Sequence, residues 1–162
     1  MTPQLPELVI NNGSWEDYRE RLYATFHSHF IDSVPMLNGL KVVLGNQNII
    51  EGKENVFWHI IQKGENEEER SPDFRRCERI GWIRFIIENA DNDDIKVWEV
   101  KRGTNTRVCL SDCEWEYLVV LAKQRTHYVL ITAYPIDYSS AKRRCKKEFT
   151  AFQQNPPNDG RT

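Results

Sequence analysis

Between residues 95 and 134 the chain carries four short runs rich in β-branched and aromatic residues, at 95–100, 106–110, 116–121 and 128–134. Turn material such as Lys101-Arg102-Gly103-Thr104-Asn105 separates them, a pattern that predicts an antiparallel meander. Pro135 ends the last run, because proline has no amide hydrogen to give to a ladder. The first third reads as helix. Ser14-Trp15-Glu16-Asp17 resembles a capping box, and Trp15, Tyr18, Leu22, Phe26 and Phe30 recur at three- and four-residue steps as one apolar stripe. This helix should stop before Pro35, with a turn at Asn38-Gly39, a β-like run at 41–44 and a polar loop at 46–55.

Val56-Phe57-Trp58-His59-Ile60-Ile61 predicts a strand, with Phe57, His59 and Ile61 on one face and Val56, Trp58 and Ile60 on the other. A charged loop at 64–70 follows. Ser71-Pro72-Asp73 then supplies an N-cap, a proline at the first helical position and an acid in the first turn. The helix it predicts, from 73 to about 80, places Arg75, Arg76 and Arg79 on one broad face and Phe74 and Cys77 on the other. Gly81 ends or bends it before the apolar segment 82–88. Ser139 or Ser140 caps a basic closing helix over 141–152. The expected architecture is α+β: N-terminal helices packed on a curved antiparallel sheet of about four to five strands, with a C-terminal helix. Residues 1–152 form a single domain in this reading, and 153–162, with two prolines and no apolar residue, a flexible tail.

At 162 residues, 40% hydrophobic and 28% charged, the chain reads as one soluble domain, and no apolar run approaches the roughly 20 residues of a membrane span. The N-terminus shows neither the basic nor the apolar region of a secretion signal. Cys77, Cys109, Cys113 and Cys145 contain no CxxC pair and suit free thiols in the cytoplasm. The net charge of −2 hides a division: residues 1–100 carry 11 Lys/Arg against 18 Asp/Glu, and residues 101–162 carry 11 against 6. Segregated charge of this kind can offer an anion-binding face.

Four features bear on chemistry. His59 is the side chain best suited to general acid–base work near neutral pH, against an equal weight for a hydrogen-bonded structural histidine. Arg75, Arg76 and Arg79 suit a polyanion or a phosphorane-like transition state, with a salt-bridge network to residues 65–69 as the competing reading. Thr132 and Tyr134 project from one strand face, where a hydroxyl and a phenol can hold a phosphate oxygen and stack on a base. Lys101 and Arg102 at a hairpin, with Lys142, Arg143, Arg144, Lys146 and Lys147 on the closing helix, are generic phosphate contacts. Cys109 and Cys113 fall short of a zinc pattern, so no metal or cofactor is expected. GxGxxG, P-loop, GxSxG and HExxH motifs are absent from the sequence.

Taken in order, Phe57-Trp-His-Ile-Ile61, the segment R-S-P-D-F-R-R-C-E-R-I-G-W-I-R at 70–84, V-W-E-V at 97–100, E-Y-L-V-V-L at 116–121 and Y-V-L-I-T-A-Y at 128–134 resemble the phage- and prophage-associated branch of the barnase–EndoU–colicin–RelE-like nuclease fold. The resemblance covers roughly residues 14–150. It implies a metal-independent endoribonuclease of the toxin or phage-defence type, with RNA as substrate and an antitoxin or immunity protein as a partner. By position it assigns His59 to the family's histidine, Arg75, Arg76 or Arg79 to its helix arginine, and Thr132 and Tyr134 to its strand-end pair. Many EndoU-like members use a second histidine, for which this chain has no counterpart. Lys101 or Arg102 would then assist, or Tyr134 would serve as the acid. The alternatives are a non-catalytic RNA- or nucleotide-binding module and a phage-encoded protein-interaction or inhibitor protein.

Overall fold

The computed structural model describes residues 4–64 and 70–155. The Ser14 hydroxyl accepts from the Asp17 amide and opens α1 (Trp15–His27), which continues through a π-helical turn, Ser28–Asp32. Tyr18, Leu22, Phe26 and Phe30 are buried along it, as the stripe requires. Strands β1 (Met36–Leu37) and β2 (Leu40–Val43) form a hairpin whose turn residues, Asn38 and Gly39, take φ of 52° and 80°. Positive φ at both positions matches the right-handed twist of the strands, and Asn-Gly tolerates it best. A smaller hairpin, β3 (Ile49–Ile50) and β4 (Lys53–Glu54), occupies part of the expected polar loop.

Residues 56–61 are not a strand. Asn55–Ile61 is a helix, α2. Val56, Phe57, Trp58, Ile60 and Ile61 are all buried, while Asn55, His59 and Gln62 are not. Asn55 and His59 lie one turn apart on α2 and Gln62 follows at its C-terminal cap, so a wide apolar face is left for the core. The strand expectation took β-branched and aromatic content as decisive, but such content reports a buried surface as much as a strand.

After α2 come β5 (Gln62–Lys63) and β6 (Ser71–Pro72), paired with each other. That ladder claims Ser71 and Pro72, so the cap of α3 (Phe74–Glu78) is Asp73 rather than Ser71. Gly81 precedes α4 (Trp82–Glu88). The meander follows as expected: β7 (Ile95–Arg102), β8 (Asn105–Asp112), β9 (Tyr117–Lys123) and β10 (Tyr128–Pro135). Helix α5 (Ser139–Gln154) closes the described chain and includes the first two residues of the expected tail. The remainder of that tail, and the acidic residues 65–69, lie outside the described residues.

The result is an α+β fold around a curled six-stranded sheet, ordered β1-β2-β10-β9-β8-β7, so the sheet has more strands than expected. All neighbours are antiparallel except β2 and β10, which pair in parallel through Val42 with Tyr128 and Val43 with Val129. The larger core joins Leu22, Phe26, Phe57, Ile60, Ile83 and Ile86 to Leu110, Val119, Leu121 and Leu130. A second cluster on the other face of the sheet seats α5 against Trp98, Cys109, Leu118 and Ile136. No helix among the described residues is long and apolar enough to cross a membrane.

Candidate functional site

The parallel pairing of β2 with β10 stops at Val129. Beyond it, α2 and α3 pack along β10 in place of a further strand. A register shift between Leu130 and Thr132 leaves Ile131 exposed and keeps Leu130 and Ala133 buried in the larger core. The bulge thereby sets Thr132 opposite Val120 and Tyr134 opposite Leu118, on the face that α5 covers. The expected sharing of a face by Thr132 and Tyr134 holds locally.

His59 and Asn55, one helical turn apart, form a ridge between two clefts. One, of about 450 Å3, lies between α2, the segment after β2 and the bulged part of β10; Asn46, Gln47, Asn55, His59 and Thr132 line it. The other, of about 290 Å3, is lined by Ile50, Glu51, Asn55, Trp58, His59, Gln62 and Arg70. Gln47 is fixed in its wall. Its carbonyl oxygen accepts from the Val56 amide at 2.8 Å, and its amide donates to the Leu44 carbonyl at 2.8 Å. The Trp58 indole likewise donates to the Ile50 carbonyl at 2.9 Å, tying the β3–β4 hairpin to α2.

Arg76 braces the end of α2 from behind. Its Nη1 donates to the carbonyls of His59 (3.0 Å) and Gln62 (2.7 Å), and its Nε lies 3.6 Å from Asp73 Oδ2. The same guanidinium sits 5.5 Å from the centroid of the Tyr134 ring. Burial draws the Arg76 guanidinium below its usual range, and Asp73 acts against that shift. Asp73 Oδ1 in turn accepts from the Arg75 and Arg76 amides at 3.0 and 3.4 Å, which fixes the start of α3. Burial pushes the Tyr134 phenol up, with the Arg144 and Arg76 charges acting in the opposite sense. The phenol is therefore protonated at neutral pH and can donate.

His59 and Thr132 thus line one cleft, while Arg76 joins the end of α2 to the Tyr134 ring; Tyr134 itself lies on the α5 face and lines neither cleft. The other basic residues singled out by sequence do not join them. Arg75 pairs with Asp137. Arg79 Nη1 donates to the Arg75 carbonyl at 3.1 Å, and its guanidinium lies 5.1 Å from the Trp82 ring. Lys101 donates to Thr106 Oγ1 at 2.8 Å, and Arg102 pairs in register with Asn105. Both belong to the β7–β8 hairpin, at the β7 edge of the sheet, whereas β10 lies inside it. Three strand spacings, or about 14 Å, separate β7 from β10. Lys101 borders a different depression, of about 400 Å3, between β7 and the end of α5.

Sequence reasoning missed Asn55, Trp58 and Arg70 as neighbours of His59. The 55/59/62 polar spacing was the available signal for the first; nothing local pointed to Arg70. Among the described residues, no group of three His, Cys, Asp or Glu side chains gathers as metal ligands would. No protein-family model, curated protein or solved structure matches the chain.

Proposed function

We propose that the protein is a metal-independent endoribonuclease of the toxin or phage-defence type, acting at the clefts beside His59. The reading rests on one observation above others: His59, half-buried on α2, lines a cleft that Thr132 of β10 also lines. His59 takes the proton of a ribose 2′-hydroxyl as that oxygen bonds to the adjacent phosphorus. The bond from phosphorus to the 5′-oxygen then breaks, and an acid protonates the leaving oxygen. The products are a 2′,3′-cyclic phosphate and a 5′-hydroxyl, so atoms and charge balance without a co-reactant. In this reading the Thr132 hydroxyl holds a phosphate oxygen. Of the acids the sequence offers, Tyr134 is the one beside Thr132 and Arg76, whereas Lys101 and Arg102 are three strands away. The expected partner beyond RNA is an antitoxin or immunity protein covering these clefts. The expected location is the cytoplasm, in keeping with Cys77, Cys109 and Cys145 being buried free thiols.

The test uses a defined RNA carrying one 2′-deoxy nucleotide, incubated with protein in excess chelator. Cleavage should occur except at the substituted linkage, and His59→Ala should reduce it by about 100- to 10,000-fold while RNA binding survives. Cleavage at the 2′-deoxy position would refute the transesterification. Binding of RNA with no cleavage at any linkage would instead favour a non-catalytic RNA-binding module.

A further inference from the structure

We infer that the cleft on the Arg70 side of His59 is a phosphate pocket, with the Arg70 guanidinium as its anion-binding group. Arg70 lines this cleft together with His59, Asn55 and Gln62. Its Nε and Nη1 are shut off from solvent, yet neither has a hydrogen-bond partner among the described residues. Guanidinium donors removed from water and left unused are costly, since their solvation is lost and nothing replaces it. The neighbouring charged groups are engaged elsewhere. Arg70 raises the positive potential felt by Arg76, and Asp73 is the carboxylate that faces Arg76. Asp73 is also committed to the α3 amides. Arg75 and Asp137 neutralise one another outside the cleft. Glu51, on the far rim, is the acidic side chain lining the cleft among the described residues. Arg70 is thus the guanidinium of this cleft with donors left for an oxyanion.

A tetrahedral oxyanion suits the lining. A guanidinium fork suits two oxygens of a phosphate, and the Asn55 and Gln62 side-chain amides that line the same cleft can donate to the others. The proposal rests on the RNA reading only for the source of the phosphate, either the backbone of a single strand or a free phosphate group. In a strand, the pocket holds the phosphate next to the one cleaved, and His59 stands between the two.

Two probes separate the sources. The first is a fluorescein-labelled 2′-O-methyl decanucleotide, which binds but cannot be cleaved, titrated over a range of salt. Arg70→Met should weaken its binding at least about tenfold and reduce the logarithmic salt slope by about 0.7, the value for one single-strand phosphate contact. Arg70→Lys should restore the slope, because the charge returns, but only part of the affinity, because the fork does not. The second probe is inorganic phosphate, followed by the Asn55 and Gln62 side-chain amide signals in a nitrogen–proton spectrum. Phosphate should shift those signals in the wild type and not in Arg70→Met. Phosphate shifts with an unchanged oligonucleotide slope would support the pocket but assign it to a small phosphate compound, against the RNA reading. Oligonucleotide effects without RNA cleavage would support the pocket and refute only the catalytic reading. No effect of Arg70→Met on either probe would overturn the inference. A fall in melting temperature on Arg70→Met would also overturn it, by making the residue a structural tie.

Discussion

Replacing Arg76 with methionine removes the brace at the end of α2 while keeping most of the side-chain volume. Two carbonyls then lose a charged donor, those of His59 and Gln62. A hydrogen bond to a charged group is worth about 1.5–3 kcal/mol, and a buried acceptor left without a partner also loses its solvation. Gln62 is only half-buried, so its carbonyl can regain water, and the two losses do not add in full. Asp73 keeps its bonds to the α3 amides but loses its cation. A net cost of about 2–4 kcal/mol follows, equivalent to a fall in melting temperature of about 5–12 °C for a domain of this size. Thermal unfolding followed by circular dichroism reads the fall directly. Arg76→Lys, with one compact donor in place of a fork, should lie between the two. The salt slope of oligonucleotide binding should not change in Arg76→Met, because the guanidinium is turned to the chain's own carbonyls. A melting temperature within about 2 °C of wild type would refute the brace, and a reduced salt slope would return Arg76 to the role of phosphate ligand.

Asp73→Ala removes the cap of α3 and should cost about 0.5–2 kcal/mol, read as a lower urea midpoint with an unchanged slope; a midpoint equal to wild type would show that the β5–β6 ladder alone fixes this start. Stability should also fall at alkaline pH. Burial pushes the Cys77 and Cys109 thiols up to about 12 from an ordinary value near 9, and Tyr23, beside Glu54, up to about 12 from 10. Between the unfolded and folded values the unfolded chain has released protons that the native chain retains, so stability declines as pH rises from about 9 toward 12. Urea midpoints at pH 7, 9, 10 and 11 measure this, and a flat series would mean that these groups titrate alike in both states.

The meander was legible because strands joined by such short turns leave the chain little choice of partner, and because each apolar run spans only one strand's length. The first helix was legible for a related reason: Tyr18, Leu22, Phe26 and Phe30 keep one stripe through more than three turns, even across the π-helical turn. The pairing of β2 with β10 had no such signal. It joins residues 42–43 to 128–129, and nothing within either segment specifies a partner so distant in sequence. Residues 56–61 carried two signals in conflict. Their composition favoured a strand, while the polar spacing of Asn55, His59 and Gln62 favoured a helix. The helix wins because it buries five apolar side chains against α1 and the sheet together, and alternation would have left half of them facing away.

The arginines show where periodicity stops being informative. On a helix, Arg75, Arg76 and Arg79 share a broad face, and the spacing alone makes them one cationic group. The fold gives each a different claimant: a carboxylate for Arg75, two backbone carbonyls for Arg76, and the Trp82 ring for Arg79. Which acceptor a guanidinium meets depends on elements far away in sequence, here Asp137 after β10 and the end of α2. A charge drawn to an internal acceptor contributes little to a ligand, because binding would first have to break that contact. Arg79 keeps one unused donor, Nε, but lines neither cleft beside His59; the arginine there with donors to spare is Arg70, at the end of the charged loop, which helical spacing could not group with the others. In this fold the count of arginines on a face is therefore a poor measure of anion affinity. The count of unused guanidinium donors beside His59 is the physically relevant quantity, and it singles out one residue.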